Sequence, residues 1–146
     1  MIIPDVNLLL YATDRQSPFH GEARKWWQAT LLGKNQIGFC SPVLFAFLRL
    51  ATHPKIFLHP LTIDRAFSHL ENWMEFPTTQ WLAPDDSHFD RVKAFLLKTG
   101  TAGNLVTDAE IAAYGLQYNG TICSADLDFA RFGVKWFNPL SPGKSA

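Results

Sequence analysis

Ile2-Ile3-Pro4-Asp5-Val6-Asn7-Leu8-Leu9-Leu10-Tyr11-Ala12 is the stretch that decides the architecture. Ile2-Ile3 reads as a short apolar strand that ends at an acid, Asp5, and Leu8 to Ala12 reads as a short helix directly behind it. Near the other end of the chain, Thr121-Ile122-Cys123 is again a short strand, followed by Ser124-Ala125-Asp126-Leu127-Asp128. Strands that alternate with helices form a parallel sheet covered on both faces. In such a sheet, ligand sites lie outside the carboxyl ends of the strands, where the strand order reverses. Asp5 and Asp126 both stand at such ends, far apart in sequence but brought together if their strands are neighbours.

The segments between these two ends keep the alternation. His20 to Leu32 has helical character, with Ala23, Trp26, Trp27 and Leu31 on its apolar side, and Gly33-Lys34-Asn35 breaks it. Ile37 to Cys40 reads as a second strand. Ser41-Pro42 is a helix start, Ser as a cap and Pro in the first turn, and the helix runs to about Thr52 before His53-Pro54 stops it. Thr62 caps another helix, through Ile63, Phe67, Leu70 and Trp73-Met74. Thr79 to Leu82 is a third strand. Asp86-Ser87 starts a helix with Phe89, Val92, Phe95 and Leu96 on one face. After the loop Gly100 to Asn104, a helix is expected over Asp108 to Tyr118, and Val134 to Phe137 is a fifth strand. The expected fold class is α/β, a three-layer α/β/α sandwich with a central, mostly parallel sheet. One domain spans residues 1–140, and 141–146 form a flexible tail.

The composition fits that expectation. The 146 residues are 47% hydrophobic and 18% charged, a globular balance with ample mass for one core. Lys plus Arg equals Asp plus Glu, 13 against 13, which excludes a polycation that grips nucleic acid by bulk charge. No apolar run approaches a bilayer span, and Met1-Ile2-Ile3-Pro4-Asp5 has no signal-type pattern, so a cytoplasmic protein without membrane partner is expected. Cys40 and Cys123 have no metal or redox spacing and read as buried thiols.

Asp108 leads into the same fourth strand, so a loop curling over the sheet edge would bring it to Asp5, Asp126 and Asp128. Several carboxylates at one edge raise one another's pKa and destabilise the fold. A divalent cation removes that conflict. Magnesium takes hard oxygen ligands, usually one or two carboxylates with water and substrate phosphate, and the matching chemistry is phosphodiester hydrolysis.

Four motifs in order resemble one family. Asp5-Val6-Asn7-Leu8-Leu9-Leu10-Tyr11 is similar to the opening motif of PIN-domain ribonucleases, Asn104-Leu105-Val106-Thr107-Asp108-Ala109 to their central motif, and Cys123-Ser124-Ala125-Asp126-Leu127-Asp128-Phe129 to their closing motif. Phe47-Leu48-Arg49-Leu50-Ala51-Thr52-His53-Pro54-Lys55-Ile56-Phe57 resembles a subgroup of the VapC toxins of type II toxin–antitoxin pairs. The resemblance covers Ile2 to about Pro139. It implies a magnesium-dependent endoribonuclease (manganese as the substitute), with a transfer RNA or ribosomal RNA loop as substrate. It also implies a small VapB-type antitoxin that blocks the site, and a homodimeric toxin. Carried over by motif, Asp5, Asp108 and Asp126 are metal ligands or water-positioning groups. Asp128 is an auxiliary acid, Asn7 orients Asp5, and Ser124 plays a supporting part. There is one departure. Most of the family carry a Glu on the helix after the second strand, whereas no acid lies between Glu22 and Asp64, and the Glu position falls at Phe47 or its neighbour.

Each of these residues also has a structural reading. Asp5 can cap the helix behind it. Thr107 and Glu110 have the form of a capping box, which leaves Asp108 free and makes Glu110 a poor co-ligand. Asp126 and Asp128 can cap a turn at Leu127 to Phe132, a role weighed equally with the functional one for Asp128. Ser124 reads as a turn or substrate hydrogen-bonding group, since no Ser-His-Asp order points to it. His20, His53, His59, His69 and His88 are scattered without zinc spacing. Trp26, Trp27 and Trp73 read as core or interface. Arg49 is placed to meet phosphate or an acid; Arg15, Arg24, Lys25 and Arg131 are also able to touch RNA, with a solvated surface role as the default reading. Two other functions compete with the nuclease. One is a PIN-like binding or scaffold module. The other is an aspartate-nucleophile phosphatase, disfavoured because Asn7 stands where its second acid is required.

Overall fold

The computed structural model describes residues 1–140; the tail expected at 141–146 lies outside the described residues. In chain order the elements are β1 (Ile2–Pro4), α1 (Val6–Thr13), α2 (His20–Leu32), β2 (Ile37–Phe39), α3 (Ser41–Ala51), α4 (Ile63–Met74), β3 (Thr79–Trp81), α5 (His88–Thr99), α6 (Leu105–Gln117), β4 (Thr121–Cys123), a 3-10 helix (Leu127–Phe132) and β5 (Trp136–Phe137). The five strands form one parallel sheet in the order β3-β2-β1-β4-β5. Helices cover both faces, which is the expected α/β/α sandwich.

The strand order sets the place of the site. The chain steps outward from β1 to β2 and β3, then returns to the other side of β1 for β4 and β5. The reversal lies between β1 and β4, and a crevice opens at their carboxyl ends. Register is equally specific there. Ile2 faces Thr121, Ile3 faces Ile122 and Pro4 faces Cys123, so the residues that follow, Asp5 and Ser124, emerge side by side. The amide of Asp5 donates to the Cys123 carbonyl at 2.8 Å, which carries the ladder to the edge.

The three inner strands, β1, β2 and β4, carry the buried residues of the sheet. Ile3, Ile37, Phe39 and Ile122 are fully buried. Trp27 of α2 meets Trp73 of α4 edge to face with ring centroids 5.5 Å apart, and Phe47 of α3 meets Trp73 at 5.2 Å. Trp27 and Trp73 are thus core residues, as their helical faces indicate. Gly38 in β2 is required by packing: a Cβ there would lie 2.5 Å from Cδ1 of the buried Leu82. Cys40 and Cys123 are free and buried, and burial pushes both thiols up to about 12. Among the described residues no helix is long and apolar enough to cross a membrane.

Two boundaries differ from the sequence reading in ways that matter. α1 starts at Val6 rather than Leu8, directly behind Asp5. α6 starts at Leu105 rather than Asp108, so Thr107 is not a cap and the capping box does not form. Gly103, at φ 51°, turns the chain, and the amides of Leu105 and Val106 donate to the carbonyls of Ala102 and Gly103. Leu105 is buried in the core. Burying it outweighs a local capping preference worth about 1 kcal/mol.

Candidate active site

Asp5 occupies the N-cap of α1, and both of its carboxylate oxygens are engaged. Oδ1 accepts from the Val6 amide at 2.7 Å. Oδ2 accepts from Asn7 Nδ2 at 3.1 Å and from the Ser124 hydroxyl at 2.7 Å. Ser124 Oγ in turn accepts from Asn7 Nδ2 at 3.1 Å and from the Asp126 amide at 2.9 Å. Asn7 Oδ1 accepts from the Ala125 amide at 3.3 Å. The ends of β1 and β4 are thereby tied by one closed network. Ser124 is fully buried and Asp5 is 5% exposed, so this network forms the floor of the crevice rather than its wall.

Asp108, Asp126 and Asp128 stand above that floor. Each is half-buried, and one carboxylate oxygen from each lies within 4.8 Å of the others. Asp108 comes from the first turn of α6, where the early helix start turns it toward the edge. Asp126 caps the 3-10 helix by accepting from the Asp128 amide at 2.9 Å. Asp126 therefore caps a turn and faces the cluster at once, and Asp128 joins that cluster rather than serving only the turn.

The electrostatics follow from this crowding. Burial raises the Asp5 carboxyl above its ordinary range, against the opposing hydrogen bonds of Ser124 and Val6, and the charge of Asp126 adds to the rise. Asp108 is pushed up to about 7, first by burial and then by the charges of Asp5, Asp126 and Asp128. Among the described residues, the one cation within ion-pair distance of these four acids is Arg131, 3.7 Å from Asp128 and itself nearly half exposed. An exposed pair of that kind offsets little charge. The donor set is thus all hard carboxylate oxygen, convergent and under-neutralised, which fits a divalent cation of the magnesium class.

A family model described as "PIN domain" matches residues 2–135 of this chain. "Ribonuclease VapC33" of Mycobacterium tuberculosis is 44% identical over 141 residues, 96% of this chain and 99% of that protein. The chain belongs to the PIN-domain family, in its VapC branch. Among solved structures, the PIN fold seen here matches that of Mycobacterium tuberculosis VapC20, described as a "Sarcin-Ricin loop cleaving toxin", with a TM-score of 0.70 at 15% identity, covering 92% of this chain and 96% of that one. It also matches a chain of VapBC-1 from nontypeable Haemophilus influenzae, with a TM-score of 0.66 at 17% identity, covering 97% of this chain and 100% of that one.

Within this PIN domain the departure on α3 has a geometric answer. Phe47 is fully buried against Trp73 and His69 of α4, with centroids 5.2 and 6.3 Å away, so an acid at that position would be buried against α4. Glu110 lies 4.0 Å from His88 Nε2 and takes no part in the three-acid group. Arg49 is exposed and forms no ion pair among the described residues. The feature that the sequence did not disclose is the Ser124–Asp5 hydrogen bond. Its one signal is the pairing of Pro4 with Cys123, which requires knowing that β1 and β4 are neighbours.

Proposed function

We propose that this PIN-domain protein is a metal-dependent endoribonuclease that acts as the toxin of a toxin–antitoxin pair. The observation that carries the reading is the convergence of Asp108, Asp126 and Asp128 over the buried Asp5 at the strand-order reversal. The name of the 44%-identical relative points to the same activity. Asp108, Asp126 and Asp128 would hold magnesium, or manganese in its place, with Asp5 as a ligand or as the charge beneath it. When bound, such a cation supplies Lewis-acid stabilisation of the phosphodiester oxygens and makes water a better nucleophile at neutral pH. The chain's own residues do the rest. Ser124 and Asn7 fix the Asp5 carboxylate in one orientation, and the Asp128 amide fixes Asp126. Hydrolysis then needs no covalent enzyme intermediate. Asp5 is a poor nucleophile for a phosphatase reaction, because it is buried with both oxygens hydrogen-bonded.

The finer points belong to the same proposal: one domain over residues 1–140, a cytoplasmic setting, a homodimer, a structured RNA loop as substrate, and a VapB-type antitoxin as inhibitor. The match to a chain of VapBC-1 supports the partner. The test is incubation of the purified protein with total RNA, with magnesium or with EDTA, beside Asp108→Asn, followed by sequencing of the new RNA ends. Discrete magnesium-dependent cuts that vanish in the variant support the nuclease. Folded, antitoxin-free protein that cuts nothing and is unaffected by magnesium supports the binding-module reading instead.

A further inference from the structure

A second charged concavity lies away from the acids. It is a cavity of about 460 Å³ lined by Arg15, Arg24, Arg65, His20, His59 and His69, with Asp14 its single acid. Asp14 is committed locally, since its Oδ1 accepts from the Gln16 amide at 3.0 Å. None of the three arginines forms an ion pair among the described residues. In a chain of zero net charge, three unpaired guanidinium groups in one hollow are a concentration of charge, not a reflection of composition. Burial, and after it the charge of the neighbouring Arg65, hold the His69 imidazole below its ordinary range.

The topology puts this cavity at the same end of the molecule as the acids. α2 and α4 lead through short connections into the amino ends of β2 and β3. Their N-terminal turns, which carry His20, Arg24 and Arg65, therefore point toward the carboxyl edge. With 13 and 12 residues they are about 18–20 Å long against about 10 Å for a three-residue strand, so they project beyond that edge. α1 connects the two places directly: it begins behind Asp5 and ends at Thr13 on the cavity wall, about 12 Å away along its axis. Two helix N-termini add partial positive charge to the arginines.

We propose that this cavity binds backbone phosphates of the RNA strand whose scissile bond lies over Asp108, Asp126 and Asp128. It rests on the nuclease reading for the identity of the strand. The length of α1, about 12 Å, separates the cavity from the acids, so one strand can lie on both. The arginines hold the strand by charge and geometry and read no base, which makes them positioning residues rather than catalytic ones.

The test uses the full chain in EDTA, a fluorescein-labelled single-stranded RNA of mixed sequence, and anisotropy titrations between about 50 and 200 mM salt, the range over which phosphate contacts dominate. Removing three phosphate contacts in the triple variant Arg15→Gln, Arg24→Gln, Arg65→Gln flattens the slope of log K against log salt by about 2, at about 0.7 per contact. The wild type then loses about 18-fold more affinity over that range than the variant does. The corresponding Arg→Lys triple variant regains most of the slope, because the charge is kept. All three arginines are exposed, and thermal unfolding confirms that the variants fold. An unchanged slope in the folded glutamine variant overturns the proposal, even if the wild type cleaves RNA with magnesium, and the nuclease reading then survives alone. A flattened slope in a protein that never cleaves supports the cavity and removes the nuclease reading. If polyglutamate binding is lost in the variant while RNA binding is not, the cavity serves an acidic protein segment and the proposal falls.

Discussion

Replacing Asp108 by Asn stabilises the cation-free protein, by an amount that grows as pH rises from about 4 to about 7. The carboxyl rises from 3.8 to about 7, which at full strength is ~4 kcal/mol, at ~1.4 kcal/mol per tenfold change in acidity. The side chain is only half-buried, and solvent screening reduces this to about 2 kcal/mol. The sign follows from proton binding. Between about pH 4 and pH 7 the folded protein keeps a proton on Asp108 that the unfolded chain releases. Stability therefore falls as pH rises through that window, and the full cost is present above pH 7. Asn carries no charge and escapes the cost. At about 3 °C per kcal/mol for a chain of this size, Asp108→Asn melts about 6 °C above the wild type in EDTA at alkaline pH. The two converge at the acid end of the window. Magnesium narrows the gap by stabilising the wild type through binding. Thermal unfolding at both ends of the pH window, with EDTA and with magnesium, reads all of this. An equal offset at both pH values, or a variant that melts lower at alkaline pH, would refute the claim that burial and the charges of Asp5, Asp126 and Asp128 hold the Asp108 carboxyl up.

Other expectations are narrower. Ser124→Ala breaks the 2.7 Å bond to Asp5, so the magnesium concentration for half-maximal RNA cleavage rises about 10- to 100-fold, the usual effect of losing an outer-shell partner; an unchanged magnesium titration counts against the network. Gly38→Ala forces a Cβ to within 2.5 Å of Leu82 and costs about 1–3 kcal/mol in urea unfolding. Phe47→Glu adds no ligand and instead buries an unpaired charge against Trp73; Phe47→Ala alone costs about 3–5 kcal/mol, so the Glu variant is expected to be unfolded by circular dichroism.

The elements and their order could be read from the chain because their signals are local. An apolar run of three residues before an acid, a Ser-Pro start and a Gly-rich break act within one turn of backbone, and each names a strand or a helix. The acids after β1 and β4 could be picked out for the same reason. The resemblance to PIN-domain ribonucleases then implied a role for each, down to Asn7 beside Asp5. What local signals misjudged was the start of α6, where burying Leu105 outweighed the Thr107–Glu110 capping pattern.

The sequence by itself determined the alternation, the apolar helical faces of Trp27 and Trp73, and the acids that end two strands. Tertiary structure alone decided that β4 pairs with β1 in the register Pro4 to Cys123, that Ser124 closes on Asp5, and that Phe47 turns to α4. It also decided that Arg15, Arg24 and Arg65 share one hollow. The physical reason is common to all four. Each depends on segments distant in sequence meeting at a set angle and offset, which no local signal in the chain records; for the strands, a shift of one residue in the β1–β4 pairing would part Ser124 from Asp5.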